Sequence, residues 1–423
     1  MSDLKAIDTN DVKVRIALAL GVIVVLAVAL FSVRWQLGNM LATLTPETDS
    51  NVSDIAEIAT RWAPSDPEGF SLKSSAAESQ AASIAALEEA VRRSPYDYRW
   101  RTDLGRAYEQ DDRNAEAEVH LKKAVELAPS YSSARWHLGN FYLRHDQIEK
   151  ALAELKIAAE NSIKYREQVF SLIWDYSGKN GTELEKLAGD RADMRARLAY
   201  FFAARGHAED ALRNWNHLGD RDKANNTAIA RSMALGLFDQ KHFRESLEFA
   251  RQYGAETEAL PETITNGSFE KTIGGDEESR FGWQTPRSDP KFDVTADSRV
   301  KHDGNRSLRL TFKGYNKPTF ANVLQTVVVE SDRKYRLQFW VRTENLRSAG
   351  LPLIEIVNAN DDKTITRSGK LPAGTADWQQ IVVDLTIPSN SSGITIRTIR
   401  DFCGEDCSIT GILWYDDFSI SRL

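Results

Sequence analysis

The segment YRLQFWVR at 335–342 holds the side chains best suited to chemistry. In an extended strand, alternation puts Tyr335, Leu337, Phe339 and Val341 on one face and Arg336, Gln338, Trp340 and Arg342 on the other. A flat apolar ring between hydrogen-bonding neighbours is what a sugar ring needs, one surface for its C–H face and donors for its hydroxyls. The plainer reading packs Trp340 beneath a loop. Cys403 and Cys407, the chain's two cysteines, lie in DFCGEDCSITG. Outside the cytoplasm they would close a small disulfide ring; inside it they would stay free thiols. A metal site there is not expected, because the nearby candidate ligands are acidic and the closest histidine in sequence is His302.

Several chemistries are missing. Two cysteines exclude a disulfide framework and argue against a cysteine-based zinc domain. There is no GxxxxGK[ST] loop, no HExxH, no GxSxG elbow and no GxGxxG after a strand. The seven histidines are scattered, with His137 and His145 inside helical patterns. No enzyme is expected, although a glycosidase's two acids need not be adjacent in sequence. The net charge of −7 and a pI near 5.7 give no pull towards nucleic acid, and no nucleic-acid partner is expected. With 42% hydrophobic and 27% charged residues and a mean hydropathy of −0.43, the chain is globular on average.

Four elements must position these residues. Residues 16–33, IALALGVIVVLAVALFSV, carry no charge. As a helix they would span about 27 Å, near the hydrocarbon thickness of a bilayer. Arg15 and Arg34 bracket the run, and Trp35 sits where an interfacial anchor belongs. A cleaved signal peptide competes, but its apolar region is shorter and ends in a small-x-small site, which Ser32-Val33-Arg34-Trp35-Gln36 does not provide. Lys5, Lys13 and Arg15 precede the span, so the positive-inside rule places residues 1–15 in the cytoplasm, 16–35 in the membrane and the rest outside. Residues 36–78 read as a linker with short helices, one of them near 54–62 and stopped by Pro64 and Pro67.

From about residue 79 an internal period appears. Leu104, Gly105, Tyr108, Ala117, Leu121 and Ala124 recur 34 residues later as Leu138, Gly139, Tyr142, Ala151, Leu155 and Ala158. A fixed period of this length marks a solenoid. This pattern resembles the tetratricopeptide repeat family, with weaker matches running to residue 256. The resemblance implies a concave groove for protein partners, here lined by Arg99, Arg106, Trp136, Asn140 and Arg144. Three arginines beside a Trp and an Asn suit an acidic or C-terminal peptide. The plainer reading makes them solvated positions on a helical face.

Near residue 257 helical spacing gives way to short alternating runs at 307–312, 323–329, 335–343, 353–357, 379–387, 394–399 and 412–420, parted by turn residues. They predict an antiparallel β-sandwich over 257–423. The succession NGSFE at 266–270, Gly282-Trp283, DGNRSL at 303–308, the 335–342 segment and WYDDFSI at 414–420 resembles jelly-roll carbohydrate-binding modules, galactose-binding-domain-like in fold. That resemblance implies a possible polysaccharide ligand and a structural calcium ion held by Glu270 with Asp416 or Asp417 and carbonyls of the Gly304–Asn305 turn. Hard oxygen ligands suit calcium. The plainer reading gives Asp416 only turn hydrogen bonds. The expected whole is a multidomain α plus β protein: one transmembrane helix, a tetratricopeptide α-solenoid and a C-terminal antiparallel jelly roll. It is expected in a bacterial inner membrane with its bulk periplasmic, as a scaffold for protein partners and a glycan, with a role in polysaccharide synthesis or export as an extension. The alternative is a carbohydrate-recognition protein with the repeats as a stalk.

Overall fold

The computed structural model describes residues 11–273, 279–285, 289–315, 323–404 and 407–423, so most of the expected N-terminal tail, including Lys5, lies outside the described residues. The chain divides into two compact units, Met1–Glu183 and Leu184–Leu423.

The first unit opens with α1 (Val12–Leu44), started by Asp11, whose side chain accepts the Lys13 N–H. It is long and apolar enough to cross a membrane, with a mean hydropathy of 3.0 over its most apolar window and none of that window buried against protein. The helix outruns the apolar stretch because nothing breaks it before Pro46, which disfavours helix at Thr45. Its last turns dock on the next helices, α2 (Val52–Trp62) and α3 (Pro67–Ser75). Arg34 Nη2 donates to Arg61 O at 2.8 Å and Asn39 Nδ2 to the buried Asp66 at 2.7 Å. Trp35, expected as an interfacial anchor, turns its indole N–H to Ser65 Oγ at 3.2 Å. Gly38 permits this approach, since a Cβ there would lie 2.9 Å from Ala63 Cβ. Pro67 acts as a helix start, in the first turn where its missing N–H costs nothing. Ala56 and Ala59 are fully buried, so residues 36–78 are packed helix for much of their length rather than a loose spacer.

The unit continues with α4 (Gln80–Arg93), α5 (Tyr98–Gln110), α6 (Asn114–Leu127), α7 (Ser132–Arg144), α8 (Ile148–Asn161) and α9 (Ile163–Tyr176). The 34-residue period is structural. A Cβ at Gly105 would lie 2.7 Å from Leu121 Cγ, and one at Gly139 2.7 Å from Leu155 Cγ, so each glycine lets the two helices of a hairpin touch. Asp112 and Asp146 take left-handed φ of 58° and 56° at the turns, where Arg113 N–H donates to Tyr108 O and Gln147 N–H to Tyr142 O, both at 2.9 Å.

In the second unit the helices are α10 (Gly181–Ala188), which begins just before the division, α11 (Ala192–Ala203), α12 (Ala208–Asn216), α13 (Asp220–Asn225), α14 (Thr227–Asp239) and α15 (Phe243–Gln252). The same left-handed turn recurs at Gly206 (φ 78°) and Lys241 (φ 69°). Among the described residues nine strands follow: β1 (Phe292–Asp297), β2 (Ser307–Tyr315), β3 (Leu324–Val328), β4 (Lys334–Arg347), β5 (Pro352–Asn358), β6 (Thr364–Arg367), β7 (Gly374–Thr386), β8 (Gly393–Arg400) and β9 (Ile409–Arg422). They form two antiparallel sheets, β1-β2-β9-β4-β7 and β3-β8-β5-β6. Leu308, Leu310, Leu337, Phe339, Leu413 and Tyr415 of the first sheet share one core with Ile354, Ile356, Ile394 and Ile396 of the second. A second apolar cluster joins α15 to the sandwich through Phe243, Leu247, Ala259, Phe281, Val328 and Ala359. The chain is thus a helical region followed by an antiparallel β-sandwich.

Candidate functional site

β4 lies between β9 and β7 in the five-stranded sheet. Tyr335, Leu337, Phe339 and Val341 are fully buried in the core, and Arg336, Gln338, Trp340 and Arg342 fall on the outer face, half-buried. These outer residues have partners. Arg336 grips Asp384 through both guanidinium edges at 2.7 and 2.8 Å and holds that carboxyl below the usual range. Gln338 accepts from Gln380 at 3.2 Å, and Arg342 lies 3.6 Å from Asp377. The Trp340 ring is stacked on His302, centroids 3.9 Å apart and planes 17° apart. His302 also meets Trp378 edge-on at 5.7 Å. The loop residue His302 thus covers one face of Trp340, as the plainer reading of a tryptophan beneath a loop has it, and the face is a three-ring cluster in which sequence reasoning missed both His302 and Trp378. Register was the signal for Trp378: Trp340 pairs with Gln380, two residues along the same face of β7.

The three acids expected around an ion all hold the turn after His302. Glu270 Oε1 accepts the N–H groups of Asn305 and Arg306 at 2.6 and 3.1 Å, which keeps its carboxyl low. Asp416 is fully buried; Oδ2 accepts the His302 N–H and Oδ1 the Asp417 N–H, both at 2.9 Å. Burial pushes its carboxyl up to about 6, with the neighbouring Asp417 charge adding and the His302 amide opposing. Asp417 Oδ2 lies 2.7 Å from His302 Nδ1. Among the described residues no three His, Cys, Asp or Glu side chains converge as a ligand set. An ion here would draw on Asp416, the one fully buried acid of the three.

On the outer face of the four-stranded sheet, Glu355, 3% exposed, receives forks from Arg367 at 2.7 and 2.9 Å and from Arg397 at 2.7 and 2.9 Å, with Thr364 donating at 2.8 Å. Burial raises its carboxyl, but these donors outweigh burial and hold it low. Nothing in the one-dimensional pattern singled it out, since its cations come from two other strands. Cys403 and Cys407 are joined as a disulfide, with Cα atoms 5.4 Å apart.

In the first unit a cavity of about 570 Å³ between α5 and α7 is lined by Arg106, Glu109, Trp136, His137, Asn140 and Arg144, among others. Four of the five expected groove residues meet here. Arg99 does not line it, and pairs instead with Asp97 at 2.7 Å and Glu68 at 3.3 Å. Arg144 forks onto Glu109 at 2.7 and 2.8 Å, so its charge is already matched. Asn140 donates back to Trp136 O at 2.8 Å, and Trp136 rests near Tyr165, centroids 5.6 Å apart. Burial, then the Arg106 and Arg144 charges, press His137 down to about 4, so it lines the cavity as a neutral imidazole.

Comparison with known proteins bears on the sandwich. Residues 261–400 match the family described as "Carbohydrate binding domain". No curated protein matches the chain. Among solved structures, one described as "CBM4 structure and function" is similar at 16% identity over 38% of this chain and 99% of that one, with a TM-score of 0.28. The CBM22-1 xylan-binding domain of Xyn10C from Paenibacillus barcinonensis is similar at 13% identity over 39% and 96%, TM-score 0.26. MamA, residue 41 to the end, from Desulfovibrio magneticus RS-1 is similar at 22% identity over 30% and 73%, TM-score 0.26. The family match alone places the pattern of a carbohydrate-binding domain on this chain, over residues 261–400 of its β-sandwich.

Proposed function

We propose that this chain is a membrane-anchored scaffold of the bacterial inner membrane, with its bulk in the periplasm. The sandwich binds a glycan and the helical repeats hold protein partners, in the service of polysaccharide synthesis or export. One observation carries the reading: the carbohydrate-binding match falls on the sandwich whose outer face bears Trp340, His302 and Trp378 beside Arg342 and Asp377. Stacked rings with a cation and a carboxylate at their rim suit a sugar ring and its hydroxyls. α1 supplies the anchor, and Lys13 and Arg15 before the span favour a cytoplasmic N-terminus. A calcium ion at Asp416 would fix the His302 turn from beneath and so steady the ring stacked on Trp340. The chain is non-catalytic in this reading.

The repeat cavity takes an acidic or C-terminal peptide group through Arg106 and Arg144. Because Arg144 is held by Glu109, an incoming carboxylate has to exchange with Glu109, and affinity rests on differential pairing rather than on free charge. The experiment is glycan-array binding by the full chain in detergent, repeated with Trp340→Ala and Trp378→Ala. Retention of a glycan that both substitutions weaken about tenfold or more is expected. Retention untouched by either, or none at all, refutes the sugar face. Loss of a co-purifying protein on Arg106→Glu plus Arg144→Glu tests the cavity.

A further inference from the structure

We propose that Cys403 and Cys407 form a thiol–disulfide exchange site, in which an incoming thiol attacks Cys403 and Cys407 leaves as a thiolate held by Arg400. The two sulfurs are not equivalent. Cys407 is buried and Cys403 half-buried, so Cys403 is the one a nucleophile reaches. A Cβ at Gly350 would lie 2.6 Å from Cys403 Sγ, so only a glycine leaves that sulfur its place. Arg400, 6% exposed, sends Nη2 to Cys407 Sγ at 3.1 Å, to Cys407 O at 2.8 Å and to Ser348 Oγ at 2.9 Å, while Nε donates to Gly350 O at 3.2 Å. Ser348 Oγ itself lies 3.7 Å from Cys407 Sγ. A guanidinium fixed against a disulfide sulfur gains little while that sulfur is neutral. Once the bond opens, the same contact becomes a charge-assisted pair with a thiolate. A thiol beside a cation titrates lower, and a leaving thiol of lower pKa departs faster.

The exchange balances without any group beyond the thiol partner. An incoming thiolate places its electron pair on Cys403 Sγ, the Cys403–Cys407 bond breaks, and the pair leaves on Cys407. The product is a mixed disulfide on Cys403 and a thiolate at Arg400. A second thiol of a dithiol partner then attacks the partner's own sulfur, forms the partner's disulfide and frees Cys403. The partner is oxidised by two electrons and this chain reduced by two. The partner class is a dithiol protein or small dithiol. Other titratable groups on these elements are Asp401, paired with Lys370 at 2.8 Å, and exposed Arg347, and burial presses the Arg400 guanidinium below its usual value. Glu405 and Asp406 lie outside the described residues.

Two readouts on the full chain in detergent test this. Glutathione is added to the oxidised protein, and the mixed disulfide is located by peptide mass spectrometry. The reduced protein is alkylated across pH 5–10, and each cysteine's rate is followed. The expected results are glutathione on Cys403, and a Cys407 alkylation midpoint at least one pH unit below the ordinary value of about 8.5. Arg400→Gln should return that midpoint to 8.5 or above and slow glutathione exchange about three- to tenfold. Arg400→Lys should retain part of both effects and guards against misfolding of the first variant. Glutathione on Cys407, or a wild-type Cys407 midpoint at 8.5 or above, overturns the proposal and leaves a structural cross-link.

Discussion

The joint between α15 and the sandwich gives the sharpest quantitative test. Phe243 is 1% exposed, and its ring sits on β8 at Gly393, where an added Cβ would lie 2.8 Å from Cδ2 and 3.2 Å from Cγ. Gly393 has ordinary backbone angles, so Gly393→Ala strains only this contact. Overpacking of this kind costs about 1–3 kcal/mol. Phe243→Ala removes a buried ring beside Leu247, Phe281 and Val328 and should cost about 3–5 kcal/mol. In the double variant the new methyl enters the space the ring vacated. The alanine at 393 then becomes neutral or stabilises by about 0.5 kcal/mol, because alanine is less free than glycine in the unfolded chain. The coupling energy is therefore about 2 kcal/mol. The assay is urea unfolding of the full chain in detergent, read by hydrogen exchange of β4 and β8 amides, which reports the sandwich rather than the helices. Additive effects, with coupling under about 0.5 kcal/mol, would show that ring and strand do not bear on each other and that the sandwich is a hinged module.

Other consequences are as direct. A fragment beginning at residue 257 loses Phe243 and Leu247 and bares Phe281, Val328 and Ala359, so it should unfold at lower urea than a fragment beginning at 184; equal midpoints refute the shared core. His137, neutral in the fold and near 6.5 when unfolded, binds more protons unfolded than folded between pH 6.5 and about 4. Its contribution is therefore full above pH 6.5 and drains away as pH falls towards 4, on the order of 2 kcal/mol after solvent screening. Tm against pH should drop less steeply in His137→Gln than in wild type. Gly139→Ala forces a methyl within 2.7 Å of Leu155 Cγ, and overpacking of about 1–3 kcal/mol outweighs the helix propensity of alanine, so Tm of the first unit should fall. Calcium should raise Tm and chelator reverse it, and Asp416→Asn should abolish the response; an unchanged response removes Asp416 from any ion site.

The fold was legible where spacing alone dictates packing. Gly105 and Gly139 are small because Leu121 and Leu155 need their space, and that need repeats every 34 residues. Seven strands were visible from alternation, and β1 and β6 were not. β6 is four residues long, too short for a pattern to stand out, and β1, FDVTAD, alternates Phe292, Val294 and Ala296 with polar residues but is an edge strand that buries only Phe292, so its alternation is short and ends in a small residue. The reach of α1 to Leu44 was hidden for the opposite reason. The residues after Trp35 mix Gly, Asn and Thr, and their helix is held by Ser65 and Asp66 of a later segment.

The site was legible by face and illegible by partner. Alternation correctly separated Trp340 from Phe339, because strand geometry forces it. What each outer residue does is set by groups far along the chain. Arg336 meets Asp384 48 residues on, Arg144 meets Glu109 35 residues back, and Asp417 meets His302 115 residues away. A lone arginine in a sequence looks like an available cation; in the fold each of these arginines is already neutralised, and binding must proceed by exchange. The same reasoning changes what Trp340 can do. With His302 lying on it at 3.9 Å, and His302 tied to buried Asp416 through its backbone and to half-buried Asp417 through its ring, the geometry of the aromatic face is governed by these two acids. A substitution at Asp416, which touches no glycan in this reading, should therefore weaken glycan retention nearly as much as one at Trp340, and retention intact in Asp416→Asn would show that the stack does not depend on its support.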